Sequence, residues 1–213
     1  MHQSSYRNMT AFRDRYLAGR EKENLVVADL GSYDVNGSYR PLFTGTAWRY
    51  LGLDVAPGPN VDIVLQDPYH WSELKSDAVD VVISGQALEH IEYFWLTLLE
   101  ISRVLKPGGL CCLVAPSGGP EHRFPVDCWR FYRDGMEALG SWAGFEVLEA
   151  FTNPEGGNEA DDDDSHLWRD SVVVARQPAK PLTRRWREWL RRLALKMVDL
   201  PSRKRAGSCN REQ

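Results

Sequence analysis

Three aspartates that follow short apolar runs are the first residues in this sequence with types and spacing suited to chemistry. Asp29 ends the run NLVVAD, Asp54 ends RYLGLD, and Asp67 follows VDIVLQ. If each run is a parallel strand, the three carboxylates meet at the carboxyl edge of one sheet, where α/β folds bind ligands. There they can accept hydrogen bonds from ribose hydroxyls or from an amino group. The alternative is that each carboxylate only caps a turn or a helix.

The turn after the first run, DLGSYDVNGSYR, limits which ligand is expected. A dinucleotide motif G-x-G-x-x-G that starts at Gly31 needs glycines where this sequence has Tyr33 and Asn36. The triphosphate motif G-x-x-x-x-G-K-[ST] is also absent from this turn. Ser38 is placed to cap a short helix, whose first turn tolerates Pro41. The turn therefore favours a ligand that carries a positive charge and no phosphate.

Two later loops carry groups that can move protons. Glu89 and His90 follow the apolar run AVDVVIS, and His122 and Asp127 lie in the segment PEHRFPVDCWRFYRDG. An imidazole or a carboxylate can take a proton from a substrate that lies within hydrogen-bonding reach. Binding and catalytic groups concentrate on loops. His122, Asp127 and His90 are the candidate catalytic residues, with Glu89 as a further candidate beside His90.

Alternating strands and helices must position these groups. Lys106-Pro107-Gly108-Gly109 ends the longest predicted helix, because proline and glycine stop a helix and turn the chain. The alternation predicts an α/β domain with a mainly parallel sheet covered by helices on both faces, and a hairpin at the end. The predicted elements are a lead-in helix over 6–23, strands over 24–31, 48–55, 61–65 and 78–84, a helix over 92–105, a strand over 110–115, a helix over 134–142, and strands over 145–151 and 171–176.

The length of 213 residues, with 43% hydrophobic and 26% charged residues, fits one domain with a short appendage and excludes a disordered or fibrous chain. No run approaches the ~18 apolar residues of a membrane helix. The first residues lack the apolar stretch of a secretory signal, so a cytoplasmic location is expected.

The cysteines show no C-x-x-C spacing, and adjacent Cys111 and Cys112 are expected on opposite faces of a strand. No metal site is therefore predicted.

Charge divides the chain into an acidic body and a basic tail. Residues 176–213 carry a net +9 and residues 1–175 a net −13, so the body is not expected to bind nucleic acid. A basic amphipathic helix is predicted within 184–200 and suits an anionic membrane surface. Packing against the domain or a twin subunit is the alternative, since Leu195 lies on the basic face. The apolar stripe of this helix consists of Trp186, Trp189, Leu190, Leu193, Met197 and Leu200.

The motifs VVADLGSYDVNGSYR, DVVISGQALEHI and EISRVLKPGGLCCLVAPS, with Asp54 between the first two, resemble the class I S-adenosylmethionine-dependent methyltransferases, in the group with small-molecule and glycan methyltransferases. The resemblance covers about residues 25–176, between a lead-in segment 1–24 and a tail 178–213, with the domain proper at 25–177. It implies a Rossmann-like seven-stranded sheet of order 3-2-1-4-5-7-6 with the seventh strand antiparallel. One departure is the first turn, where the family's G-x-G is reduced to Gly31-Ser32-Tyr33.

The resemblance also implies a cofactor site for S-adenosylmethionine. It places the methionine moiety near Asp29 and Gly31, and the ribose hydroxyls on Asp54. The remaining assignments put the adenine against Asp67 and Pro68, and the sulfonium near Gly85 and Gln86.

The expected reaction is methyl transfer to a hydroxyl of a small molecule, a sugar or a lipid-linked glycan. For His90 the alternative role is to shape the cofactor side, because the Glu-His pair recurs in family members with unrelated acceptors. A second reading of the whole chain is a non-catalytic cofactor-binding module that docks on a membrane or on a glycan-assembling enzyme.

Overall fold

A computed structural model describes residues 2–154 and 165–179, together with Trp186, Leu190 and residues 193–195. The chain divides into two units, Met1–Pro178 and Ala179–Gln213. The helices of the first unit are α1 (Gln3–Tyr16), α2 (Arg40–Phe43), α3 (Phe94–Val104), α4 (Arg133–Ala143) and α5 (Ser165–Trp168), with a 3₁₀ turn at Leu88–His90. Its strands are β1 (Val26–Leu30), β2 (Arg49–Asp54), β3 (Ile63–Val64), β4 (Val79–Gly85), β5 (Leu105–Ala115), β6 (Glu146–Thr152) and β7 (Ser171–Arg176).

The strands form one seven-stranded sheet of order β3-β2-β1-β4-β5-β7-β6. The pairs β3–β2, β2–β1, β1–β4 and β4–β5 are parallel. Strand β7 runs antiparallel to both β5 and β6. The strand order and the final hairpin predicted above are confirmed. The carboxyl ends of β1, β2 and β4 therefore lie side by side, and the loops after them share one edge of the sheet.

Apolar side chains that alternate along the strands build a core on each face of the sheet. On one face, α3 and α4 bury Leu98, Ile101 and Met136 against strand residues that include Ala28. On the other face, α1 and α2 bury residues that include Phe12. Helices on both faces are thus confirmed. Cys111 belongs to the first core and Cys112 to the second, as adjacent residues of one strand require.

Several element boundaries differ from the predicted ones, most of all the end of α1 and the start of β5. Helix α1 ends at Tyr16 rather than at residue 23, and the following turn contains Gly19 with a positive φ of 80°. Strand β5 begins at Leu105, before the Lys-Pro-Gly-Gly segment that was expected to lie outside it. That segment bulges out of the ladder, and Gly108 takes a φ of 81° there. Glycine permits these left-handed conformations at little cost, so Gly19 lets the chain leave α1 early and Gly108 lets β5 bulge without ending.

In the second unit, Trp186, Leu190 and residues 193–195 are helical, and Trp186, Leu190 and Leu193 are exposed. Trp189, Met197, Leu200 and the basic residues within 184–200 lie outside the described residues. Within the part of the chain that the structure describes, no helix has the length and apolar character needed to cross a bilayer.

Candidate functional site

The turn after β1 packs directly against the turn after β4. Gly31 has a φ of 78°, and its amide donates a hydrogen bond of 2.9 Å to the carbonyl of Leu53. A Cβ added at Gly31 would lie 2.4 Å from the Cβ of Ala87. Only glycine therefore fits this position without a shift, both for its backbone conformation and for its contact. The predicted cofactor turn and the loop that carries Glu89 and His90 form one continuous wall.

Asp29 stabilises this wall from its buried side. Its side chain is buried and accepts a hydrogen bond from the Tyr50 hydroxyl. Asn60 donates from Nδ2 to the Tyr50 hydroxyl at 3.3 Å and to the carbonyl of Ser32 at 2.8 Å, which ties the carboxylate to the turn. Burial raises the pKa of Asp29 to about 7, although Tyr50 and the Arg40 charge act in the opposite direction. Asp29 thus holds the turn in place and does not lie on its open surface.

Asp54 ends β2 and caps two turns at once. Its Oδ2 accepts from the backbone amide of Tyr33 at 3.2 Å, and its Oδ1 accepts from the amide of Ala56 at 3.0 Å. The capping role that the sequence left open is therefore real. A carboxylate has about four acceptor positions, so Asp54 keeps capacity for ligand hydroxyls while it fixes the first turn beside β2.

Asp67 and Pro68 are also used within the protein. Asp67 Oδ1 accepts from the amide of Tyr69 at 2.9 Å, which is a capping contact of the same kind. The carbonyl of Pro68 accepts from the indole nitrogen of Trp71 at 3.1 Å. These contacts fix the loop after β3 at the same edge of the sheet as Asp54. They agree equally with a structural role and with an adenine pocket built on a rigid loop.

The end of β4 is covered by a side chain from α2's N-cap. A Cβ added at Gly85 would lie 2.0 Å from the hydroxyl of Tyr39, so the tyrosine occupies the space that the glycine leaves. The Tyr39 hydroxyl shares a hydrogen bond of 2.5 Å with Ser5 Oγ. Burial raises the pKa of Tyr39 well above its usual value, and the side chain acts as a neutral hydroxyl. Gly85 is therefore shaped by Tyr39 and by α1.

Gln86 joins the start of α1 to the loop before β7. Its Nε2 donates to Asp170 Oδ1 at 2.9 Å, and its Oε1 lies 2.8 Å from His2 Nε2. Ser4 Oγ donates to Asp170 Oδ2 at 2.6 Å, and Asp170 is fully buried. The sequence predicted a lead-in helix here but not this polar network. The N-terminal end of α1 therefore forms part of the site next to Gln86.

Glu89 and His90 lie together on the 3₁₀ turn after β4. Glu89 is fully buried, and neither of its carboxylate oxygens has a hydrogen-bond partner from another described residue. Burial raises the pKa of Glu89 to about 8, although its own backbone amide favours the charged form. His90 Nδ1 lies 2.6 Å from the carbonyl of Val126, and its Nε2 lies 3.6 Å from Glu89 Oε1.

His122 comes from the loop after β5 and meets His90 in space. The two ring centroids are 4.8 Å apart, and the ring of Trp168 lies 4.6 Å from that of His122. Burial, with a smaller contribution from His90, lowers the pKa of His122. The structure therefore brings together His90 and His122, which the sequence predicted separately, and adds Glu89 between the two loops.

Asp127 holds this loop through an ion pair. Arg130 donates to its two oxygens at 2.6 and 2.8 Å, and the backbone amide of His122 donates to Oδ2 at 2.8 Å. These contacts keep the pKa of Asp127 well below its usual value. A carboxylate that stays charged in this way is a weak proton acceptor, so its geometry suits positioning of His122 better than the basic role predicted for it.

An open cleft of about 550 Å³ lies beside the first turn, but none of the predicted site residues lines it. Its charged groups include Arg40, which donates to Asp62 Oδ2 at 2.7 Å and to the carbonyl of Asn60 at 3.0 Å. These groups are already paired within the protein, and we assign the cleft no role.

Residues 29–113 match the family model described as a methyltransferase domain, which spans the first turn, Asp54, the Glu89 loop and most of β5. This segment therefore carries a methyltransferase domain of the S-adenosylmethionine-dependent type, as the sequence resemblance implied. The cofactor of this methyltransferase is S-adenosylmethionine. The residues present fit it, because Asp54 keeps acceptor capacity for a ribose and the first turn offers no phosphate-binding motif. No curated protein sequence matches the chain significantly.

Solved structures share the fold at low sequence identity. The 1,6-didemethyltoxoflavin N1-methyltransferase of Burkholderia thailandensis, solved with its named substrate and S-adenosylhomocysteine, is 17% identical with a TM-score of 0.63 over 83% of this chain and 80% of that one. A Haloferax volcanii protein in complex with the Trm112 methyltransferase activator is 21% identical, with a TM-score of 0.54 over 83% and 96%. The [4+2]-cyclase SpnF is 15% identical, with a TM-score of 0.62 over 83% and 82%. The fold is thus shared by proteins named for different reactions.

Proposed function

We propose that this methyltransferase transfers its methyl group to a hydroxyl of a small molecule, a sugar or a lipid-linked glycan. The observation that carries the proposal is the cluster of Glu89, His90 and His122 at the carboxyl ends of β4 and β5. A hydroxyl is a poor nucleophile at neutral pH and must lose its proton on methylation, so a site for hydroxyls needs groups that promote this loss. The cluster supplies such groups beside the predicted cofactor turn.

The bound cofactor supplies an activated methyl group on a sulfonium, so most of the catalysis required of the protein is alignment. Asp54 would hold the ribose, and the turn at Gly31 would follow the methionine moiety. The contact of Gly31 with Ala87 fixes this turn against the Glu89 loop. The acceptor oxygen would then be oriented by His90 and His122 and lose its proton within their cluster.

An exposed aromatic side chain beside the histidines supports a sugar acceptor. Phe124 is 59% exposed, and its ring centroid lies 6.1 Å from that of His90 and 6.4 Å from that of His122. Aromatic faces pack well against the apolar faces of sugars and leave the hydroxyls free for polar groups. The acidic body, with a net charge of −13 over residues 1–175, disfavours nucleic acid as the acceptor.

The basic tail is the reason to propose that this enzyme is cytoplasmic and contacts an anionic membrane through residues 184–200. A lipid-linked glycan is presented at such a surface, and each basic residue near it contributes about 1 kcal/mol of attraction. This part of the proposal rests on the sequence of the tail and on the exposure of Trp186 and Leu190.

Incubation with a cell extract or a glycan panel and methyl-labelled S-adenosylmethionine tests the proposal. We expect label on an acceptor oxygen. His122→Gln should lower turnover by ~10²-fold or more while calorimetry shows unchanged cofactor affinity. The exposed His166→Gln is the matched control and should leave both unchanged. Label on nitrogen or carbon would contradict the hydroxyl acceptor. Cofactor binding without transfer to any acceptor would favour a non-catalytic module docked on a partner.

A further inference from the structure

We infer that Glu89, His90 and His122 form a binding site for one divalent transition-metal ion of the Zn²⁺ type, which activates the acceptor hydroxyl. One ligand atom from each residue lies within 4.8 Å of the others. The role in activation rests on the proposed function, whereas binding of the ion is tested without it. A carboxylate with two imidazoles is a donor set that zinc enzymes use, with a fourth position open to water or substrate.

The first support is the state of Glu89. Its side chain is 0% exposed, and both carboxylate oxygens lack a hydrogen-bond partner from other described residues. A buried carboxylate in this condition is costly unless it is paired with a positive charge or coordinates a metal. No Lys or Arg of the described residues forms an ion pair with Glu89, and the nearby Arg130 pairs with Asp127.

The second support is the orientation of His90. The partner of its Nδ1, at 2.6 Å, is a carbonyl oxygen, which can only accept, so Nδ1 carries the proton. In a neutral imidazole this leaves a lone pair on Nε2, which lies 3.6 Å from Glu89 Oε1. The lone pair of Nε2 and the buried carboxyl group of Glu89 therefore point at the same space. A cation there would replace the carboxyl proton and use a lone pair from each residue.

The third support is the surroundings of the histidines. Histidines that bind metals almost always donate their other ring N–H to a carbonyl or a carboxylate. Val126 provides this acceptor for His90. For His122, Nδ1 is buried and has no hydrogen-bond partner among the described residues, with Asp127 Oδ2 3.4 Å away. His90 thus has the outer partner of a metal ligand, and His122 offers a buried ring nitrogen whose polar capacity is unused.

The distances require only a small closure. Ligand atoms about 2.0–2.2 Å from a tetrahedral zinc ion lie about 3.5 Å from one another. The 3.6 Å between Glu89 and His90 already meets this spacing. The ring of His122, on a loop and 28% exposed, would need to move by about 1 Å to complete the site.

The ion gives the acceptor a route to lose its proton. A hydroxyl oxygen in the open fourth position becomes more acidic, as a zinc-bound water does, and its proton passes to solvent. The oxygen then forms a bond to the methyl carbon while the carbon–sulfur bond breaks, and the electron pair stays on sulfur. The products are a methyl ether, S-adenosylhomocysteine and one proton, so atoms and charge balance.

The test is zinc titration of the full chain by calorimetry after treatment with EDTA and dialysis. We expect one ion per chain with a Kd of micromolar or tighter. Glu89→Gln and His122→Gln should each weaken binding by at least tenfold, and His166→Gln should not change it. Asp127→Asn should weaken binding by ~10-fold, because Asp127 holds the loop that carries His122 through its backbone amide. Thermal melting of each variant checks its fold, and Co²⁺ absorption in the native chain gives a readout that needs no variant.

If zinc binding does not saturate, or has a Kd weaker than about 1 mM, the site is non-specific and the inference is overturned. Equal zinc affinity in Glu89→Gln and the native chain would also overturn it. Methyl transfer at the full rate in excess EDTA would overturn the activating role. Zinc binding that is lost in Glu89→Gln, in a chain that methylates no acceptor, would support the site and contradict the proposed function instead.

Discussion

Asp29→Asn should change how the stability of the protein depends on pH. The pKa of Asp29 rises from 3.8 to about 7 on folding, because burial disfavours the charged form. The folded state therefore binds more protons than the unfolded state between about pH 4 and 7. Stability is lost as the pH rises through this window and is constant above it. Each unit of difference between the unfolded and folded pKa values changes the free energy of unfolding by about 1.4 kcal/mol. The whole difference therefore amounts to about 4 kcal/mol.

Asparagine is neutral at every pH and can still accept the Tyr50 hydrogen bond through its amide oxygen. Urea unfolding of both proteins at pH 5 and pH 8 isolates the effect, because all other titrating groups are shared. We compare the free energy of unfolding of the variant with that of the native chain at each pH. This difference should favour the variant by about 3 kcal/mol more at pH 8 than at pH 5. The exposed Asp134→Asn controls for loss of one carboxylate. An equal difference at both pH values for Asp29→Asn would refute the buried-charge argument.

Three further perturbations test the cofactor wall and the tail. Gly31→Ala forces a Cβ to 2.4 Å from Ala87 in a left-handed backbone position, so cofactor affinity should fall at least tenfold by calorimetry, unless the two turns separate freely. Asp54→Asn should weaken the cofactor by about 1.5–3 kcal/mol for each charge-assisted bond lost, and unchanged affinity in a folded variant would remove Asp54 from the site. Deletion of residues 178–213 should abolish sedimentation with anionic vesicles and leave cofactor binding intact, whereas a lower melting temperature or a monomer formed from a dimer would make the tail a packing element.

The sequence was sufficient for the sheet because its signals are local. Short runs of β-branched residues mark buried parallel strands, and their order along the chain fits a single known topology. Gly31 and the aspartates at the strand ends could be placed for the same reason. The capping of Asp54 was also foreseen as an alternative, since a carboxylate after a strand has few other local partners.

The rest of the site depends on contacts between distant segments. Ser4 meets Asp170 across 166 positions and His2 meets Gln86 across 84, and neither spacing nor composition marks these pairs. The burial of Asp29 follows from Tyr50 on a neighbouring strand, which periodicity identifies only as a strand residue. Asp170, an acid directly before the apolar strand β7, is the one local signal that could have indicated this polar network.

The position of Glu89 in the site also depends on a contact between distant segments. It was noted as a candidate beside His90, but its approach to His122 depends on the path of the loop after β5. Each residue alone has an ordinary role in a loop. Only their meeting in a buried position creates a cluster with metal-binding chemistry, and no C-x-x-C or histidine spacing in the sequence reveals it.

The most direct test of the central claim is a single assay of methyl transfer from labelled S-adenosylmethionine, with the position of the label determined by mass spectrometry and NMR. We expect label on the oxygen of a hydroxyl-bearing acceptor in the native chain. In Glu89→Gln we expect a loss of ~10²-fold or more in methyl transfer, with cofactor affinity unchanged. Full transfer by Glu89→Gln, or label on an atom other than oxygen, would contradict it.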